Sequence, residues 1–216
     1  MRLIGKTVLA FGFVALVSSS PALAQGRGFG GGGGGAMLLT NKSVQAELKV
    51  TDEQAGKLGE FGQKMQDKQR EEGQKLQDVP QDERRAKMQE IGKVIQAEIS
   101  KGLGDILKPE QVKRFHQVQI QAAGYNAFTQ PAVVEKLKLT DDQKAKLAEI
   151  STEAGATMRE VFQSAGDDRA AAMTKIQELR KATFEKAAAL LTADQKSAWK
   201  DLIGSPFEVK IEPRQN

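Results

Sequence analysis

The chain has 216 residues, no cysteine, a single histidine (His116) and a formal net charge of +4. These counts exclude disulfide stapling and the usual thiolate or multi-imidazole metal sites. Setting aside Arg2 and Lys6, which belong to the leader described next, brings the charge from +4 to +2, so no nucleic-acid footprint is expected.

Arg2 and Lys6 precede an apolar run from Thr7 to Val17, then Ser18, Ser19, Ser20 and Pro21, then Ala22-Leu23-Ala24. Charge, a short apolar segment and a small-x-small site form the signal-peptide pattern, which predicts a leader over residues 1–24 and a periplasmic or secreted product. The run is shorter than the roughly 20 apolar residues a spanning helix needs, and no later segment is more apolar, so no membrane span is expected after cleavage. From Gly26 to Gly35 every residue is glycine except Arg27 and Phe29. Such a stretch has few side chains to bury and much backbone entropy to lose, so residues 25–36 are expected to be a disordered tether. No phosphate-loop Lys or Ser/Thr follows these glycines directly.

The remaining elements are predicted helical. A short turn is expected near 44–48, long helices over 52–77 and 82–106, and a short helix over 109–122. A second short turn at 131–137 leads into long helices over 141–164 and 168–190 and a short helix over 193–203. Apolar residues recur at three- and four-residue steps: Leu58, Phe61, Met65 and Leu76; Met88, Ile91, Ile95, Ile99, Leu103 and Ile106; Leu147, Ile150, Ala154, Met158 and Val161. The one alternating stretch, Phe207 to Glu212, has no second strand to pair with, and residues 205–216 are expected to pack loosely.

This order of elements occurs twice. VQAELKVTDEQAGKLGEF from Val44 matches VVEKLKLTDDQKAKLAEI from Val133, 89 positions on. DERRAKMQEI from Asp82 matches DDRAAAMTKI from Asp167, and LKPEQVKRF from Leu107 matches LTADQKSAW from Leu191, pairing Phe115 with Trp199. Three matches in the same order predict a tandem duplication, with units over 37–126 and 127–216.

Each unit holds two sites of the form apolar-Thr-x-x-Gln: Thr51 and Gln54, Lys108 and Gln111, Thr140 and Gln143, Thr192 and Gln195. Thr at the N-cap accepts from the N3 amide, and Gln at N3 reaches back to the N-cap amide, so each site reads as a capping box. Lys108 stands where Thr is expected, which makes the second cap the weakest of the four. Pro109 at the first helical position compensates in part. The first long helix contains Gly56, Gly59, Gly62 and Gly73, while the aligned helix has Ala145, Ala148, Ser151 and Phe162. The first is therefore expected to be the more mobile.

Paired LTxxQ sites flanking a long helical hairpin behind a leader, together with Glu83-Arg84-Arg85 and the segment from Pro109 to Phe115, resemble the Spy/CpxP family of periplasmic proteins. The resemblance implies an all-α fold and a cradle-shaped antiparallel dimer. It also implies either ATP-independent chaperone activity or a role in envelope-stress regulation. With four motif sites in one chain, the two units are expected to pair as the two subunits do, giving a pseudo-dimeric monomer, with a homodimer as the alternative.

Two functions compete on this reading: a chaperone for unfolded or stress-damaged clients, and a regulatory or structural protein that binds one specific envelope partner. The candidate client-binding residues are Arg84, Arg85, Met88, Arg169, Met173, Phe61 and Met65. The bland alternative is ordinary core for the methionines and a solvated face or helix-start ion pair for the arginines. Metal sensing is a distant third, since only His116 offers an imidazole and its aligned partner is Lys200. No cofactor or enzyme activity is expected, because the carboxylates fall at helix starts and in helix-surface pairs such as Glu60 with Lys64 and Glu90 with Lys93.

Overall fold

A helix can begin where a side chain satisfies its orphan amides, and Asn41, Thr51, Thr140, Asp168 and Thr192 each accept from the N3 backbone amide of the helix that follows. The structure, a computed structural model, describes residues 34–166 and 168–210, with Arg85 described by its helical backbone alone. The expected leader 1–24 and tether residues 25–33 lie outside the described residues.

The elements are α1 (Gly34–Leu39), α2 (Lys42–Glu47), α3 (Asp52–Lys75), a 3-10 turn (Leu76–Asp78), α4 (Gln81–Ile106), α5 (Pro109–Ala123), a 3-10 segment (Gly124–Thr129), α6 (Pro131–Leu137), α7 (Asp141–Ser164), α8 (Arg169–Ala189) and α9 (Ala193–Ile203). The fold is all-α, and no strand occurs among the described residues. α3 with α4, and α7 with α8, form two long hairpins.

The expected tether ends earlier than its composition suggests. Residues 34–36 are helical, because α1 buries Ala36, Leu38 and Leu39. Gly62 of α3 admits this helix: a Cβ there would lie 2.7 Å from the Thr40 Cγ2. Fully burying a Leu contributes about 1.5–3 kcal/mol, enough to offset the poor helix propensity of Gly34 and Gly35.

Two separate cores result. The first gathers Leu38, Leu39, Val44, Leu58, Met65, Ile95, Ile99, Leu103, Phe115 and Val118 from α1 to α5. The second gathers Phe128, Val133, Leu137, Leu147, Ala187, Leu191 and Trp199. At its centre Phe128 stacks on Trp199 with ring centroids 4.4 Å apart, and Phe184 lies 5.7 Å from Phe128. Both cores sit at the bases of the hairpins. Between Met65 and Ile95, and between Ala154 and Ala172, no described side chain is buried, so the outer parts of both hairpins are thin two-helix arms.

The two halves meet through α5 against α9 and through the chain that follows α9. Gly204 ends α9 at φ 62°, a conformation that suits glycine, and packs directly on the Gln117 side chain. Residues 205–210 were expected to pack loosely, yet Val209 is buried in the first core and Phe207 packs against it. The alternating stretch finds its backbone partners in side chains of α5 and the start of α2 rather than in another strand.

Candidate interaction surface

The motif residues act first on the backbone. Thr51 Oγ1 accepts from the Gln54 amide at 3.2 Å, and Gln54 Oε1 accepts from the Thr51 amide at 3.0 Å. Thr140 with Gln143, and Thr192 with Gln195, repeat the same reciprocal box. At Lys108 only half of it forms. Gln111 Oε1 accepts from the Lys108 amide at 2.9 Å, whereas an ammonium has no lone pair to offer in return.

The glutamines also hold one another, which spacing along the chain does not reveal. Gln54 Nε2 donates to Gln111 Oε1 at 3.0 Å, and Gln111 Nε2 donates back to Gln54 Oε1 at 3.2 Å. Gln143 and Gln195 exchange the same pair at 2.7 and 2.9 Å. The spare Nε2 protons reach carbonyls: Gln54 to Ile106, Gln143 to Leu190, Gln111 to Leu48 and Lys49, and Gln195 to Lys138 at the longer distance of 3.5 Å. Each pair thus ties the start of a long helix to the start of a short one and to the chain end preceding each. Lys49 and Lys138, which supply or flank these carbonyls, are the two non-glycine residues at positive φ among the described residues (51° and 50°). The signal for the pairing was present: all four sites carry Gln, although Glu caps a helix equally well. A carboxylate has no N–H to give the partner.

The candidate client-binding residues lie in different environments. Met65 is 2% exposed and belongs to the first core, and Phe61 is half-buried with its ring against Gly102. Neither forms an open contact surface, because α1 and α4 cover that face of α3. Arg84 is exposed, but its guanidinium donates to the carbonyls of Val79 (2.8 Å) and Gln77 (3.1 Å), fastening the turn of the first hairpin. Arg85 lies in α4. Arg169 is exposed at the first position of α8, and Met173 is half-buried.

Met88 is 61% exposed, as the candidate surface requires. Two residues missed by sequence reasoning join it: Val94 at 48% and Phe162 at 50% exposure. Their signal was being off the stripe. Val94 is next to Ile95 on α4 and Phe162 is next to Val161 on α7, each one residue away from the face that turns inward. All three lie in or at the edge of the thin arms.

The surrounding charges are helix-surface pairs. The Lys57 ammonium, bonded at 2.6 Å, holds the Glu53 carboxyl below its ordinary pKa. Lys75 does the same for Glu72, and Lys144 for Asp141. The Lys75 ammonium is raised in turn by Glu72. Lys68 pairs with Glu98 across α3 and α4, and Arg114 pairs with Glu47 at 2.7 Å across α5 and α2. Glu90 pairs with Lys87 at 3.8 Å rather than with Lys93, and the expected pair of Glu60 with Lys64 does not form among the described residues. None of these arrangements isolates a carboxylate for acid–base work.

His116 sits half-buried beside Phe115, its Nδ1 3.4 Å from Gln119 Oε1. Among the described residues no group of three or more His, Cys, Asp or Glu is placed to hold a metal ion. A shallow cleft between α7 and α8 is lined by Ile150, Ala154, Leu179 and Thr183, and the buried Thr183 hydroxyl donates to the Leu179 carbonyl in its own helix. Among the described residues no helix is long and apolar enough to cross a membrane. No family model, curated protein or solved structure matches the chain.

Proposed function

We propose that this chain is an exported, ATP-independent chaperone of Spy/CpxP type, periplasmic or secreted, whose two hairpin arms bind unfolded segments of other proteins. The observation that carries the reading is the placement of Met88, Val94 and Phe162. These are large apolar side chains, about half exposed or more, on arms with no buried side chain among the described residues, standing among exposed charged and small polar or apolar residues. Apolar anchors spaced among exposed polar and charged side chains suit weak contact with many sequences, since burying each anchor contributes a little and no deep pocket lies beside them.

The architecture proposed with it is a tandem duplication acting as a pseudo-dimer. Features 89 positions apart support it: left-handed Lys49 and Lys138, the caps at Thr51 and Thr140, and the bonds from the Thr40 hydroxyl to Met37 and from the Thr129 hydroxyl to Asn126. By these correspondences α1 and the 3-10 segment are equivalent, so each unit begins near residues 36 and 125. The contact of α5 with α9 joins equivalent helices of the two units, as a two-fold axis would.

The test is suppression of aggregation of several unrelated clients by the purified mature chain. Broad suppression near equal concentration is expected. Replacing Met88, Val94 and Phe162 together by serine is expected to weaken it at least about fivefold, at unchanged circular dichroism. Inactivity toward every client would overturn the chaperone reading and leave the specific envelope-partner reading in its place.

A further inference from the structure

The segment after α9 behaves like a bound peptide. Residues 205–210 run from α5 to α2 without helix or strand, with Val209 buried, Phe207 half-buried, and Pro206, Glu208 and Lys210 exposed. Their backbone is held by side chains at both ends. Gln121 Oε1 accepts from the Phe207 amide at 2.8 Å, and Gln121 Nε2 donates to the Ser205 carbonyl at 2.9 Å. Ser43 Oγ accepts from the Lys210 amide at 3.0 Å, and Asn41 Nδ2 donates to the Lys210 carbonyl at 2.7 Å. Asn41 does this while its Oδ1 caps α2 by accepting from the Val44 amide at 3.1 Å.

Recognition of this kind reads little of the sequence. Side-chain amides and a hydroxyl bond the main chain, and two apolar side chains at alternate positions fill the floor, the division of labour of strand addition with side chains in place of a sheet edge. We infer that the groove between α2 and α5 is a binding site for extended peptides with apolar residues at alternate positions, and that the chain's own residues 205–210 occupy it in cis as a competing, autoinhibitory strap. The site lies at the base of the first half, away from the arms, and goes beyond the client-binding reading without depending on it. An occupied groove lowers the apparent affinity for an added peptide by the fraction of time it stands open.

The test uses the full mature chain and a labelled, end-blocked peptide of residues 205–210, read by fluorescence anisotropy. A Val209→Asp chain, whose own strap no longer seats, is expected to bind the peptide at least about tenfold more tightly than the parent. Adding Asn41→Asp keeps the cap on α2 but removes the donor to the peptide carbonyl, and is expected to weaken binding about fivefold. Equal binding by both chains overturns the inference, and so does no binding by a Val209→Asp chain that retains the parent's circular dichroism. If that chain loses its helicity, the parent decides. Excess peptide is expected to speed hydrogen exchange at the Phe207 and Lys210 amides, and unchanged exchange there overturns the inference. Because aggregation suppression is a separate readout, peptide binding without it leaves the groove standing while sinking the chaperone.

Discussion

A glutamine at the third position of a helix usually serves only its own cap. Here Gln54 and Gln111, and Gln143 and Gln195, satisfy their caps and one another, filling nearly every donor and acceptor they own. This gives a sharp expectation for Gln143→Glu. A lone capping box would tolerate the change, because Glu accepts from the Thr140 amide as well as Gln does. In the paired arrangement the new carboxylate loses both donors, leaves the Leu190 carbonyl without its partner and faces the Gln195 oxygen. A loss of about 2–3 kcal/mol is expected by urea denaturation. A loss below about 0.5 kcal/mol would mean that the glutamines act as separate caps.

Among the elements, the glycines of the first hairpin divide into two kinds. Nothing lies within 4 Å of a Cβ built at Gly56 or Gly73, so Gly56→Ala and Gly73→Ala are each expected to stabilise the chain by up to about 1 kcal/mol. At Gly62 a Cβ would meet Thr40, and at Gly102 it would meet the Phe61 ring, so alanine there is expected to destabilise, measured in the same urea titrations. Equal effects at all four positions would contradict the packing of α1 and Phe61. Helix positions were largely legible in the sequence because caps and apolar periods are local signals: α7, α6 and α9 begin and end where Thr140, Pro131 and Thr192 predict. What stayed hidden depends on distant partners. α1 is held by Gly62 and its own buried leucines, Met65 is covered by neighbouring helices, and residues 205–210 are seated by Gln121, Ser43 and Asn41, none of which can be read from a local window.

For the protein taken together, the described titrating groups held away from their ordinary pKa all sit in exposed helix-surface pairs, whose effect on stability is small. Glu53, Glu72 and Asp141 have lowered pKa values, so their contributions are present above the ordinary carboxylate pKa of about 4 and fade as pH falls through the lowered folded values. Lys75 is raised, so its contribution is present below its unfolded pKa of about 10.4 and fades as pH rises through the folded value. These four groups leave the thermal midpoint flat between about pH 5 and 9 and lower it only outside that range. A slope of several degrees within the range, followed by calorimetry, would assign stability to other titrating groups. The two arms belong to the same picture, since between Met65 and Ile95 and between Ala154 and Ala172 no described side chain is buried, which leaves most of those residues free to serve another molecule. Hydrogen exchange of the chain with and without a saturating unfolded client tests this most directly. Protection confined to residues 81–94 and 155–171, with both cores unchanged, is the expected result, and an exchange pattern that the client leaves unaltered along both arms would contradict it.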